Sequence, residues 1–222
     1  MRARFDSSYI RSELERIGQR LDNPLTVFLI GGGSMAFRGL KETTKDIDLI
    51  VSSGDNLSQL QAVLLELGYD IVREPDEEYE ELGAQRILEN NDGCRIDIFN
   101  QQVVGKLILS SGIRERSERY LNPGNLVVEL VSPEDIFLFK SVAGRVDDSE
   151  DMFSLIQTGL KFGVVKAELE VLHVLDEPKS VTGLRQELDW SAADIQEIVR
   201  HLEEKDVVVV TEGYVERRST TI

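Results

Sequence analysis

Apolar residues recur at steps of three and four near the start of the chain, at Ile10, Leu14, Ile17 and Leu21, and predict a first helix from Ser7 to Leu21 that stops before "DNP". The period then changes. "LTVFLIGGG" is a continuous apolar run that breaks at glycine, as a buried strand does, with "SMAFRGL" expected as a short helix and "DIDLIVSS" as a second strand. "NLSQLQAVLLELG" returns to helical spacing, with Asn56 or Ser58 as the expected cap and Gly68 as the stop. The resulting order is strand, helix, strand, helix.

Further along, "AQRILENNDGCRIDIFN" carries two strand-like runs around Asn91, Asp92 and Gly93, a turn-forming set, so a hairpin is expected with Asp97 on its second arm. In "SPEDIFLFKSVAGR" Ser132 is the expected cap and Pro133 takes the first helical position; "DSEDMFSLIQTGL" continues as one or two helices packed behind the sheet. The acidic stretch "REPDEEYEELG" reads as a solvated loop or an exposed helix. From about Val164 the texture changes to three short helical patterns, "VKAELEVLHVL", "SVTGLRQEL" and "SAADIQEIVRHLEEK", followed by a hairpin turning at Glu212 and Gly213. This divides the chain into residues 1–162, an α/β (α+β) unit, and residues 163–222, a small winged helix-turn-helix-like unit.

Composition narrows the choice of partners. A formal net charge of −16 over 222 residues argues against a protein that coats nucleic acid through a general basic field, so a polyanion must be met locally. A high-salt cytosol is another source of such acidity. Cys94 is the single cysteine and has no intrachain disulfide partner. With no export leader at the start and no apolar stretch near the ~20 residues of a membrane span, a cytoplasmic location is expected.

The chemistry concentrates in "GGGSMAFRGLKETTKDIDLIV". On a strand, alternate side chains share a face, so Asp46 and Asp48 aim at one spot while Ile47 and Leu49 enter the core. Two carboxylates held so close repel unless a cation neutralises them, and oxygen-only ligands suit magnesium, which also takes oxygens from a triphosphate. The preceding glycines, Gly32 and Gly33 among them, allow backbone amides to approach an anion, and Ser34 adds a hydroxyl. Asp97, between Ile96 and Ile98 on another strand, is the expected second-metal ligand and general base. Lys45 lies beside the pair, where it offsets their charge or touches phosphate, or is merely solvated. His173 and His201 have no Cys/His cluster around them, so zinc is not expected.

The glycine-serine step, the Asp-x-Asp strand and the distant third Asp, over roughly residues 25 to 100, resemble the DNA polymerase β-type nucleotidyltransferase superfamily. Within it, "TKDIDLIV" with Lys140, Arg145, Asp148 and Asp151 of "FLFKSVAGRVDDSED" is similar to the abortive-infection and mycobacterial nucleotidyltransferase toxins. The resemblance implies a polymerase β-like mixed sheet with flanking helices. It implies Gly33 and Ser34 on the triphosphate, Mg2+ or Mn2+ on Asp46, Asp48 and Asp97, Lys140 on the nucleotide phosphates, and either Asp148 or Asp151 in the site. It also implies an NTP substrate, a tRNA end or a protein side chain as acceptor, and an antitoxin partner. The third C-terminal helix carries Asp194, Glu197, Glu203 and Glu204 against Arg200 and Lys205, with Arg217 and Arg218 near the wing. That balance favours protein contact or homodimerisation over DNA binding. A catalytically silent, NTP-sensing transcriptional regulator is the alternative reading of the same pattern.

Overall fold

The computed structural model describes residues 2–72, 84–103, 107–109, 111–143, 145–161, 171–172, 174–175, 177–204 and 208–217. Helix α1 (Ser7–Arg20) starts where the Asp6 side chain accepts the Tyr9 N–H at 2.9 Å, and it buries Ile10, Leu14 and Ile17 along one stripe. Strand β1 (Leu25–Leu29) leads into α2 (Gly31–Phe37), then β2 (Asp46–Val51) and α3 (Gly54–Glu66). Two expectations change here. The glycines are not a turn ahead of the helix but its first residues, and α3 is capped by Ser53, whose Oγ accepts the Asn56 N–H at 3.2 Å. Ser53 wins because its backbone is extended while the next residue is already helical, the geometry a cap needs; Asn56 and Ser58 lie inside the helix.

Strands β3 (Asp70–Ile71), β4 (Arg86–Glu89) and β5 (Arg95–Asn100) follow, β4 and β5 forming the expected hairpin with Gly93 at φ 79° in its turn. A two-stranded ribbon, β6 (Gln102–Val103) with β7 (Leu107–Ile108), precedes α4 (Ser111–Arg116), β8 (Glu118–Leu121) and β9 (Leu126–Leu130). The main sheet has seven strands in the order β3-β4-β5-β2-β1-β9-β8. It is mixed: β2 runs parallel to β5 and β1 parallel to β9, while β1 and β2 are antiparallel.

Alternation along these strands gives the sheet two faces. Ile47, Leu49, Val51, Ile96 and Ile98 pack with α1 and α3 in one core cluster. Phe28, Ile50 and Phe99 face the other way, onto Ile113, Ile136, Phe139 and Leu155 from α4, α5 (Pro133–Ala143) and α6 (Ser149–Ile156). Fully burying each such side chain contributes roughly 1.5–3 kcal/mol. A 3-10 turn (Val146–Asp148) separates α5 from α6, so the segment after Ser132 is two helices. Ser132 is the cap, accepting the Asp135 N–H at 3.2 Å.

Beyond residue 170 a third cluster joins Val171, Leu175, Leu184, Ile195, Val199, Leu202, Val208 and Val215. It lies among α7 (Val181–Leu188), α8 (Ala192–Glu204) and a three-stranded sheet of order β10-β12-β11, built from Lys179–Ser180, Tyr214–Arg217 and Val208–Thr211. Glu212 and Gly213 both take positive φ in the hairpin between β11 and β12. The acidic stretch 73–83, most of the pattern 165–175 with His173, and Lys205 and Arg218 lie outside the described residues. No helix among the described residues is long and apolar enough to cross a membrane.

Candidate active site

The three aspartates belong to neighbouring parallel strands. Asp48 and Asp97 are register partners across β2 and β5, and Asp46 precedes Asp48 by one full pleat on the same face. Asp97 is fully buried, and neither of its carboxylate oxygens has a hydrogen-bond partner. Burial first, then the charges of Asp48 and Asp46, hold Asp97 well above the ordinary carboxylate range. Asp48 is pushed up to about 7, again by burial first and then by Asp46, against the pull of Arg145, Lys140 and Lys41. Asp46 is engaged by the guanidinium of Arg2. The segment carrying Arg2 is fixed beside β2 because Phe5 and Thr44 exchange backbone hydrogen bonds of 2.8 and 2.9 Å.

The glycines touch this acidic corner directly. Gly31 has φ +59°, and a Cβ there would stand 2.2 Å from Asp48 Oδ2; a Cβ on Gly32 would stand 2.3 Å from Thr44 Oγ1. These positions are glycine because the start of α2 lies flush against β2 and the loop before it. Gly33 is less constrained, its Cβ position meeting only the Leu29 side chain at 3.1 Å. Ser34, at the end of the first helical turn, is fully buried, and its Oγ has no hydrogen-bond partner.

Opposite the acids runs a row of alternating charges. Lys41 Nζ lies 2.7 Å from Asp151 Oδ2, and Asp151 is shared with Lys140 at 2.9 Å. Lys140 in turn lies 2.6 Å from Asp148, which Arg145 Nε meets at 2.9 Å. Burial works against ionisation of Asp148, yet the hydrogen bonds from Arg145 and Lys140 outweigh it and hold the carboxyl below its usual range. Asp151 behaves alike: burial is opposed and overcome by Lys41 and Lys140. The spacing of Asp148 and Asp151 therefore brings both to Lys140, one through the 3-10 turn and one through α6.

Of the residues singled out in the sequence, Asp46, Asp48, Asp97, Gly32, Gly33, Ser34, Lys140, Arg145, Asp148 and Asp151 thus fall around one end of the sheet. Lys45 is exposed, in the bend that precedes β2. Cys94 is buried beside the hairpin. Arg2 and Lys41 are the charged groups that sequence spacing did not bring forward. Both reach the site by chain reversal, Arg2 through the bridge at Phe5 and Lys41 through the turn at Gly39, with φ +71°.

Among the described residues, no three His, Cys, Asp or Glu side chains enclose a point for a metal ion as they stand, Asp46 being turned to Arg2. The donors nonetheless fit a hard divalent cation. They are all oxygen, two of them are buried without a partner on Asp97, and their mutual repulsion is what a cation relieves.

A seven-stranded mixed sheet flanked by helices, with paired acids on a central strand beside a glycine-rich helix start, has the architecture of a nucleotidyltransferase. Residues 8–200 match the model of a family described as "Nucleotidyltransferase of unknown function (DUF6036)", and the chain belongs to that family. No curated protein matches the chain.

Proposed function

We propose that the protein transfers a nucleoside monophosphate from an NTP to an acceptor hydroxyl, with Mg2+ or Mn2+ held by Asp46, Asp48 and Asp97. The observation that carries this reading is the fully buried Asp97, with two unpartnered oxygens, in register with Asp48 on the adjacent strand. Two divalent ions, once bound, supply charge neutralisation at the triphosphate and at the attacking oxygen. Asp97 takes the proton of the acceptor hydroxyl; burial and the neighbouring acids hold its carboxyl well above the ordinary range, and a more basic carboxylate accepts a proton more readily. The acceptor oxygen bonds to the α-phosphorus as the bond to the β-phosphate oxygen breaks, and pyrophosphate leaves. Ser34 Oγ and the N–H groups of Gly32 and Gly33 bind the phosphates, while Lys140 orders the cation row beside them.

The resemblance to nucleotidyltransferase toxins supports a tRNA 3′ end or a protein hydroxyl as acceptor, and an antitoxin as partner. The C-terminal unit, residues 163–222, is read as a winged helix-turn-helix that contacts protein or a second copy of the chain. The exposed Asp194 and Glu203 on α8 disfavour a phosphate backbone there. Incubation with Mg2+, each α-labelled NTP, and total RNA or cell lysate tests the reading. Label should enter RNA or protein with the wild type and not with Asp48→Ala or Asp97→Ala. No transfer by wild type, or equal transfer by the variants, rejects the enzyme.

A further inference from the structure

The two lysines on Asp151 differ in a way that assigns them different tasks. Lys140 is held at both ends of its reach, between Asp148 and Asp151, with its side chain 7% exposed. Moving it would strip a cation from two buried carboxylates at once, an expensive change. Lys41 touches Asp151 alone, with a side chain 28% exposed, and its departure leaves Asp151 still paired with Lys140. Its stem passes along the glycine start of α2, with Cδ 3.8 Å from the Cβ position of Gly32. Its charge also acts on Asp48 across the site.

We propose that Lys41 is a triphosphate-binding residue that exchanges Asp151 for the β- and γ-phosphates of the nucleotide, while Lys140 stays in place as a positioning residue. The proposal rests on the nucleotidyl-transfer reading and adds a specific recognition element to it. A lysine suits the exchange because its ammonium is a compact point charge on a flexible stem that can change partners without bidentate geometry. The phosphates then meet the glycine start of α2 on one side and Lys41 on the other, and Asp151 keeps its second cation throughout.

Calorimetric titration of the full-length protein with inorganic tripolyphosphate, with the four α,β-methylene NTP analogues and with the four NMPs tests this directly. Lys41→Met should weaken tripolyphosphate and the bound NTP analogue at least tenfold, leave NMP affinity within twofold, and melt within a few degrees of wild type. Lys41→Arg, which keeps the charge, should restore most of the affinity and serves if the methionine variant folds poorly. Lys161→Met, which removes an exposed lysine elsewhere, should bind as wild type does. If wild type binds the analogues and Lys41→Met binds them equally, or if NMP affinity falls in parallel, the assignment of Lys41 is overturned and the transferase reading stands. If wild type binds neither tripolyphosphate nor any analogue, the transferase reading fails and the assignment with it.

Discussion

Asp48 and Asp97 face each other in register across two parallel strands, and the buried member of the pair, Asp97, has no hydrogen-bond partner for either oxygen. A fold keeps such an arrangement at a cost, because burying a charge without a partner opposes stability. Removing that charge should therefore stabilise the metal-free protein while destroying its response to metal. Asp97→Asn is expected to raise the thermal midpoint at pH 8 in the presence of chelator, by several degrees if about 1–3 kcal/mol is recovered. Wild type should gain stability from Mn2+, about 2.7 kcal/mol at a hundredfold excess over Kd, and Asp97→Asn should gain little. A lower midpoint for the variant in chelator, or an undiminished Mn2+ shift, would contradict the role given to Asp97.

Asp48 gives the same corner a pH dependence of definite sign. Its carboxyl is pushed up to about 7 from 3.8, so the folded state binds the proton more readily than the unfolded chain. The associated stabilisation is complete below the unfolded value and is lost as pH climbs through about 7. Asn imitates the protonated carboxyl at this position. In chelator, wild type and Asp48→Asn should melt at similar temperatures near pH 4, and the variant should melt progressively higher toward pH 8. An offset between them that stays constant across the range would show that Asp48 does not titrate there.

Period and turn chemistry made much of this architecture readable in advance, and the limits were physical. Asp46 and Asp48 announce themselves because strand alternation is local; Asp97 could be named as a strand residue, but its register with Asp48 is set by pairing between segments some fifty positions apart. Lys45 is adjacent to the acids in sequence, but it lies in the bend before β2, where strand alternation does not fix its direction, and it is exposed. Lys41 and Arg2 were invisible for the converse reason: backbone reversals at Gly39 and at the Phe5–Thr44 bridge bring them in, and no periodicity encodes that. Strands β8 and β9 also went unforeseen. "LNPGNLVVEL" holds a turn and an alternating run, but its place beside β1 is a long-range parallel pairing that local pattern does not specify.

Gly31 and Gly33 offer a test of how closely α2 is fitted to β2. At Gly31 an added methyl meets Asp48 Oδ2 at 2.2 Å, and φ is +59°, so Gly31→Ala both strains the backbone and forces the Asp48 carboxylate aside. The conformational part alone costs roughly 1–2 kcal/mol. Gly33 has no positive φ and only the flexible Leu29 side chain nearby, and alanine favours a helix interior over glycine by about 1 kcal/mol. Gly31→Ala should therefore lose both thermal stability and nucleotidyl transfer, whereas Gly33→Ala should keep its melting temperature within a few degrees. Equal melting of Gly31→Ala and wild type would mean that the helix start is looser against Asp48 than its packing indicates.

Lys140 joins the 3-10 turn and α6 to α5, because its ammonium is the shared partner of Asp148 and Asp151 and all three side chains are largely buried. Removing Lys140 takes the more buried of two cations from each carboxylate, leaving Asp148 to Arg145 and Asp151 to Lys41, a change on the scale of the about 3–5 kcal/mol that breaking a buried ion pair costs. Lys140→Met should thus lower the thermal midpoint by roughly 6 °C or more at neutral pH, given about 2–4 °C per kcal/mol in a chain of this size. Because the penalty comes from ionised Asp148 and Asp151, replacing both with Asn in the same variant should recover much of the midpoint without recovering transfer activity. Thermal melts of the single and triple variants check the pairing. A Lys140→Met protein that melts like wild type would show that the row is held by Arg145 and Lys41 instead, and that Lys140 is available to bind phosphate itself.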